Sequence, residues 1–125
     1  MFQVKVHPKR QLLAIAFSER VDVGQMRDCQ EQVGKLLGGL RPGFVVLTDL
    51  TALEVMEPEC LPIIKEMMDL CNAQGASAVV RVIPEPDKDI GFSVATLFHY
   101  DAGVTIVTCR SLVEAEGFLP SAAGS

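Results

Sequence analysis

The sequence lacks the features that mark many functional classes. Its longest apolar runs, such as Leu12 to Phe17, hold five or six residues. A membrane-spanning helix needs about 20, so no span is expected. Histidine is scarce, with only His7 and His99, and no two of the four cysteines form a Cys-x-x-Cys pair. The short-spaced ligand pairs of a zinc site are therefore missing, and no metal or other cofactor is expected. There is no GxGxxG, Walker A, GxSxG or HExxH stretch. Gly34, Gly38, Gly39 and Gly43 do not form a phosphate cradle after a strand. Basic residues are few and scattered: 11 Lys and Arg against 16 Asp and Glu give a net charge of -5. With no cationic stripe, neither nucleic acid nor an anionic membrane is an expected partner. The opening Met-Phe-Gln-Val-Lys-Val has no signal-peptide core, which makes the cytoplasm the expected compartment.

What is present fits a globular α/β domain. The 125 residues are 49% hydrophobic and 22% charged. A chain of this size forms one domain and hides about two-thirds of the surface it exposes when unfolded. Residues 2–119 are expected to make that domain. Residues 120–125 are small and polar, and are expected to form a disordered tail.

Phe2, Val4 and Val6 alternate with polar residues, the period of a strand. Pro8-Lys9-Arg10 turns the chain, and Gln11 to Phe17 is a dense apolar strand, suited to cover on both faces. These two form an antiparallel hairpin. Asp22, with Gln25 three residues on, opens a helix as in a capping box. Met26, Cys29, Val33 and Leu36/Leu37 line one side of it, and Gly38-Gly39 ends it. Phe44 to Thr48 is the next strand, and Thr51 to Pro58 reads as a loop. Pro62 has no N–H and fits only the first turn of a helix, which sets that helix at about 60–74. Ala78 to Ile83 is a strand, Ile90 to Tyr100 a helix, and Val104 to Cys109 the last strand. Ser111 and Glu114 open a short final helix that runs to about Leu119. Strands alternating with helices after the hairpin imply right-handed crossovers. The expected architecture is a mixed, mostly parallel sheet with about four helices.

Cys60 and Cys71 share a predicted helix but lie about 16 Å apart along it, too far for a disulfide. All four cysteines are expected to be reduced core residues. The stretch richest in chemistry is Asp49 to Leu61. Glu54, Glu57 and Glu59 crowd a loop that feeds a helix start, where the helix dipole favours carboxylates. Ordinary capping is one use of them; an acidic recognition surface is the other. Cys60, near the same helix start, could be a nucleophile only with a histidine in reach.

This stretch resembles the signature of the STAS family, named for sulfate transporters and anti-sigma-factor antagonists. That signature runs Asp-Leu-Ser/Thr, then alternating apolar residues, then Asp-Ser-Ser/Thr-Gly. Asp49-Leu50-Thr51 matches its start, and Leu53, Val55 and Met56 fall on its apolar positions. Ser18 to Asp22 is similar to the family's Ser-Gly-x-x-Asp turn, with Glu19 where glycine is usual. The order of elements over residues 2–119 is also the family's. The resemblance implies a non-enzymatic interaction module, similar to anti-sigma-factor antagonists in bacterial signalling and transcription regulation. Its partner would be a protein such as an anti-sigma-factor-like kinase, and a homodimer is left open. The implied interaction surface is Asp49, Thr51, Glu54, Glu57, Pro58 and Glu59. The family's phospho-acceptor position is occupied here by Glu59, which has no hydroxyl to modify. The alternative is a small-molecule- or lipid-sensing domain of the same fold, with Met56, Met67, Met68, Phe92 and Phe98 lining an apolar pocket.

Overall fold

A computed structural model describes residues 1–84 and 104–120. Strand β1 (Phe2–His7) and strand β2 (Leu12–Val21) pair antiparallel around a 3-10 turn at Pro8–Arg10. Helix α1 (Val23–Leu36) follows, then strand β3 (Val45–Met56), helix α2 (Leu61–Ala73), strand β4 (Ala78–Val82), strand β5 (Thr105–Cys109) and helix α3 (Leu112–Glu116). The five strands form one sheet in the order β1-β2-β3-β4-β5, and every pair after the hairpin is parallel. This is the expected mixed α/β architecture. The expected helix at 90–100 and the tail from residue 121 lie outside the described residues.

Two apolar layers hold the sheet. On its inner face, Leu13, Ile15 and Phe17 of β2, Val46 and Leu50 of β3 and Val79 of β4 share one buried cluster with α1 and α2. The helices contribute Met26, Cys29 and Val33 on one side and Ile63, Ile64, Met67, Met68 and Cys71 on the other. On the outer face, Leu12, Leu47, Val80, Val82 and Cys109 are buried with Ala115 of α3. Alternation along each strand divides these residues between the two faces.

The punctuation signals act as their chemistry requires. Asp22 Oδ1 accepts from the Gln25 backbone N–H at 2.8 Å, which caps α1. The reciprocal half of the expected capping box is missing, because the buried Gln25 Oε1 has no partner among the described residues. Ser111 Oγ caps α3 through the Glu114 N–H at 3.1 Å. After α2, Gly75 takes φ +98°, and a Cβ there would meet Pro42 at 2.9 Å, so glycine alone fits this stop.

Besides the final helix, which ends at Glu116 rather than near Leu119, two boundaries differ from the sequence reading. Strand β3 continues to Met56, where a loop was expected from Thr51. Strand β2 runs beside it to Val21, pairing Ser18 with Ala52, Glu19 with Leu53, Arg20 with Val55 and Val21 with Met56, across two register shifts. Leu53 and Met56 turn into the core while Glu54 and Val55 face solvent. The shifts interrupt strict alternation, which hides the strand from a period-2 reading. The second difference is at α2. A 3-10 turn over Pro58–Cys60 precedes it, and the helix itself starts at Leu61 with Pro62 in its first turn.

Candidate functional site

The turn between β3 and α2 is seated on the start of α1. The Glu57 N–H donates to the Val21 carbonyl at 3.1 Å, and its carboxylate Oε1 accepts from the Val23 N–H at 3.1 Å. Val23 is the first residue of α1, so Glu57 satisfies one of the donors that a helix start leaves open. Asp22 satisfies another. Two carboxylates therefore meet the positive end of one helix. The Cys60 N–H closes the 3-10 turn by donating to the Glu57 carbonyl at 2.9 Å, and the Cys60 thiol lies 3.8 Å from the Val21 carbonyl. Pro58 and Glu59 occupy the crest of the turn and are exposed.

Cys60 is fully buried beneath this crest. Burial first, then the charges of Glu57, Asp22 and Glu59, push its thiol above the ordinary range. A thiol held protonated at neutral pH is a poor nucleophile. Its position suits packing under the turn.

The residues singled out from sequence separate into two places. Glu57, Pro58 and Glu59 form the crest, with Glu54 exposed on the strand that leads to it. Asp49 lies elsewhere. Its register partners are Ala16 on β2 and Val82 on β4, which places it on the outer face of the sheet. Its Oδ1 accepts from both the N–H, at 2.9 Å, and the hydroxyl of Thr51. Asp49 and Thr51 thus fix each other within β3, away from the crest. Asp22 and the first N–H of α1 complete the site, although sequence spacing could not place them there. The Ser18–Asp22 similarity is the one sequence signal that could have drawn attention to Asp22.

The proposed apolar lining is also divided. Met67 and Met68 border a cavity of about 20 Å³ with Ile15, Phe17, Thr48 and Cys71. That is space for a water molecule rather than a ligand, which needs about 300 Å³ or more. Met56 is buried but does not border this cavity. Phe92 and Phe98 lie outside the described residues. Among the described residues, no cluster of three His, Cys, Asp or Glu side chains could hold a metal, and no helix is long and apolar enough to cross a membrane.

No protein-family model matches this sequence, and no curated protein matches it. Solved structures do. The anti-sigma factor antagonist SpoIIAA, in its unphosphorylated form, superposes with a TM-score of 0.67 at 13% identity, over 94% of this chain and 96% of that one. The fold is STAS-like. An uncharacterized DUF3478-family protein with a SpoIIAA-like fold, from Shewanella loihica PV-4, gives a TM-score of 0.71 at 13% identity, covering 94% of this chain and 93% of that one. An anti-sigma factor antagonist from Mycobacterium paratuberculosis gives 0.62 at 14% identity, over 95% and 94%. These likenesses run the length of the STAS-like sheet. At such identities they establish the fold, and the site's chemistry rests on this chain's own residues.

Proposed function

We propose that this chain is a non-enzymatic protein-interaction module of the anti-sigma-factor-antagonist kind, with a fixed charge where related proteins carry a switchable one. The binding surface is the crest at Pro58 and Glu59, flanked by Glu54 and Glu57. One observation carries the reading. The Glu57 carboxylate and amide anchor the crest to Val23 and Val21, so Pro58 and Glu59 are presented on a rigid base. A surface fixed before binding loses little entropy when a partner docks. Glu59 stands at the resembled phospho-acceptor position with one negative charge, where a phosphoserine would carry nearly two. The partner is an anti-sigma-factor-like protein of the kinase type, met in the cytoplasm, and its phosphoryl transfer finds no acceptor here: residues 52–60 hold no Ser, Thr or Tyr.

The test is direct binding. Each anti-sigma-factor-like kinase encoded in the same genome is expressed and titrated against the chain and its Glu59→Arg variant by calorimetry. At least one is expected to bind the native chain. Charge reversal at this exposed position should weaken it by about tenfold or more, without change in the thermal melt. Binding that ignores Glu59→Arg, or no binding by any of them, would sink the reading. Glu59→Ser should be phosphorylated by the bound kinase while the native chain is not.

A further inference from the structure

The cavity between the sheet and α2 carries one hydroxyl in a lining of aliphatic, aromatic and sulfur-bearing side chains. Ile15, Val46 and Thr48 border it from the strands, and Met67, Met68 and Cys71 from the helix. On β3, Val46 and Leu50 belong to the inner core, so alternation turns the Thr48 side chain inward between them. Thr48 is 6% exposed, and its hydroxyl has no hydrogen-bond partner among the described residues. Neither register neighbour serves it. Ile15 on β2 is apolar, and the Arg81 guanidinium on β4 donates to the Thr108 hydroxyl.

Size is the second observation. The cavity holds about 20 Å³. One water needs at least about 10–15 Å³, and an organic ligand needs far more. A buried hydroxyl with no bond is costly, and native interiors rarely leave one. Here the hydroxyl and a space that a water can fill are at the same place.

We propose that this cavity is a buried-water site, with one molecule held on the Thr48 hydroxyl beneath α2. The hydroxyl can donate or accept, and the water takes the complementary part. The thiol and thioethers among the lining residues are weak hydrogen-bonding groups, so they do not hold the molecule by themselves. Occupancy therefore depends on Thr48. A purely apolar cavity stays dry, and exchanging this hydroxyl for a methyl group empties the site. The bound water fills space that side chains leave between β3 and α2, and it belongs to the packing there. This inference does not rest on the crest at Glu59.

Two measurements on the full chain test it. A high-resolution crystal structure should show a water about 2.8 Å from Thr48 Oγ1. In solution, oxygen-17 relaxation dispersion should count one long-lived water fewer in Thr48→Val than in the native chain. Thr48→Ser keeps the hydroxyl and should keep the water. The valine variant should melt no higher than the native chain, because the hydroxyl it loses was already satisfied. Circular dichroism checks that each variant folds; where Thr48→Val does not, the native crystal structure and the serine variant decide. An empty cavity in the crystal overturns the proposal. So does an equal water count in the native and valine chains, or a water lost from the serine variant. A valine variant whose Tm rises by about 3 °C or more overturns it too, since that gain marks a hydroxyl whose bond was never made.

Discussion

At Glu19 the backbone takes φ +57°, a left-handed conformation that costs an L-residue with a Cβ roughly 1–2 kcal/mol. The strain falls where β2 shifts register against β3, between Glu19 and Arg20. A bulge at this point re-aims the chain toward Asp22 and the start of α1, so the strained residue sits directly upstream of the cap. The resembled family uses glycine here, and the observed φ supplies the physical reason. Glu19→Gly removes the strain but loosens the unfolded chain by about 0.5–1 kcal/mol, for a net gain of up to about 1 kcal/mol. Glu19→Val, β-branched in the same conformation, should cost about 1–2 kcal/mol. Urea unfolding of both variants checks the order. A Val variant as stable as the Gly variant would show that the left-handed conformation is not held in solution.

The two acidic residues of the crest differ at the same scale. Glu57 holds the Val23 N–H, whereas Glu59 is exposed at the top of the turn. Glu57→Ala should therefore cost about 1 kcal/mol, the value of a lost helix cap, while Glu59→Gln should stay within about 0.5 kcal/mol. Equal losses at the two positions would place Glu59 in the structure rather than on the surface. From sequence alone the two glutamates were indistinguishable. Their difference arises from a contact 34 residues away in the chain, which no local pattern encodes.

At the scale of elements, most of the fold was legible because each strand and helix carries its own period and its own stop. The run from Leu12 to Phe17, the cap at Asp22, the position of Pro62 and the glycine at 75 each fix one boundary through local chemistry. The tail of β3 was not legible. Leu53 and Met56 are three apart, a spacing that fits one face of a helix and not the alternation of a strand. They are both buried because β2 lies alongside, and two register shifts bring both side chains to the inner face. That assignment has a measurable consequence. Leu53 is 1% exposed, so Leu53→Ala should cost about 2–4 kcal/mol, the range for a buried leucine that leaves a cavity. In a solvent-facing loop the same change would cost well under 1 kcal/mol, and chemical denaturation separates the two values cleanly. The crest depends on this strand, because β3 and its pairing to Val21 set the height at which Glu57 meets α1.

For the whole molecule, the buried thiols set a limit on the alkaline side. All four cysteines are free and buried. Burial, and then the nearness of Cys71, push the Cys29 thiol from its ordinary value of 9.0 up to about 12. Burial also raises Cys60 and Cys109. A thiol with a raised value keeps its proton in the folded state while the unfolded chain loses it. Below about pH 8.5 both states hold the proton, and the stabilisation is fully present. From there toward pH 12 the unfolded chain binds fewer protons than the native one, so stability must fall as pH rises. Cys29 alone contributes a slope of about 1.4 kcal/mol per pH unit across that window, and Cys60 and Cys109 steepen its start. Other groups titrate in the same range, so the informative quantity is a difference between proteins. Cys29→Ala will lower stability at pH 7 through lost contacts, by an amount that does not change with pH. Between pH 9 and pH 11 its unfolding free energy, measured in urea under reducing conditions, should decline less steeply than that of the native chain by about 1.4 kcal/mol per pH unit. Parallel lines for the two proteins would mean that Cys29 ionises as readily in the folded molecule as in the unfolded one. That result is incompatible with a thiol sealed between α1 and α2, and it would require the two helices to admit water where the structure brings them together.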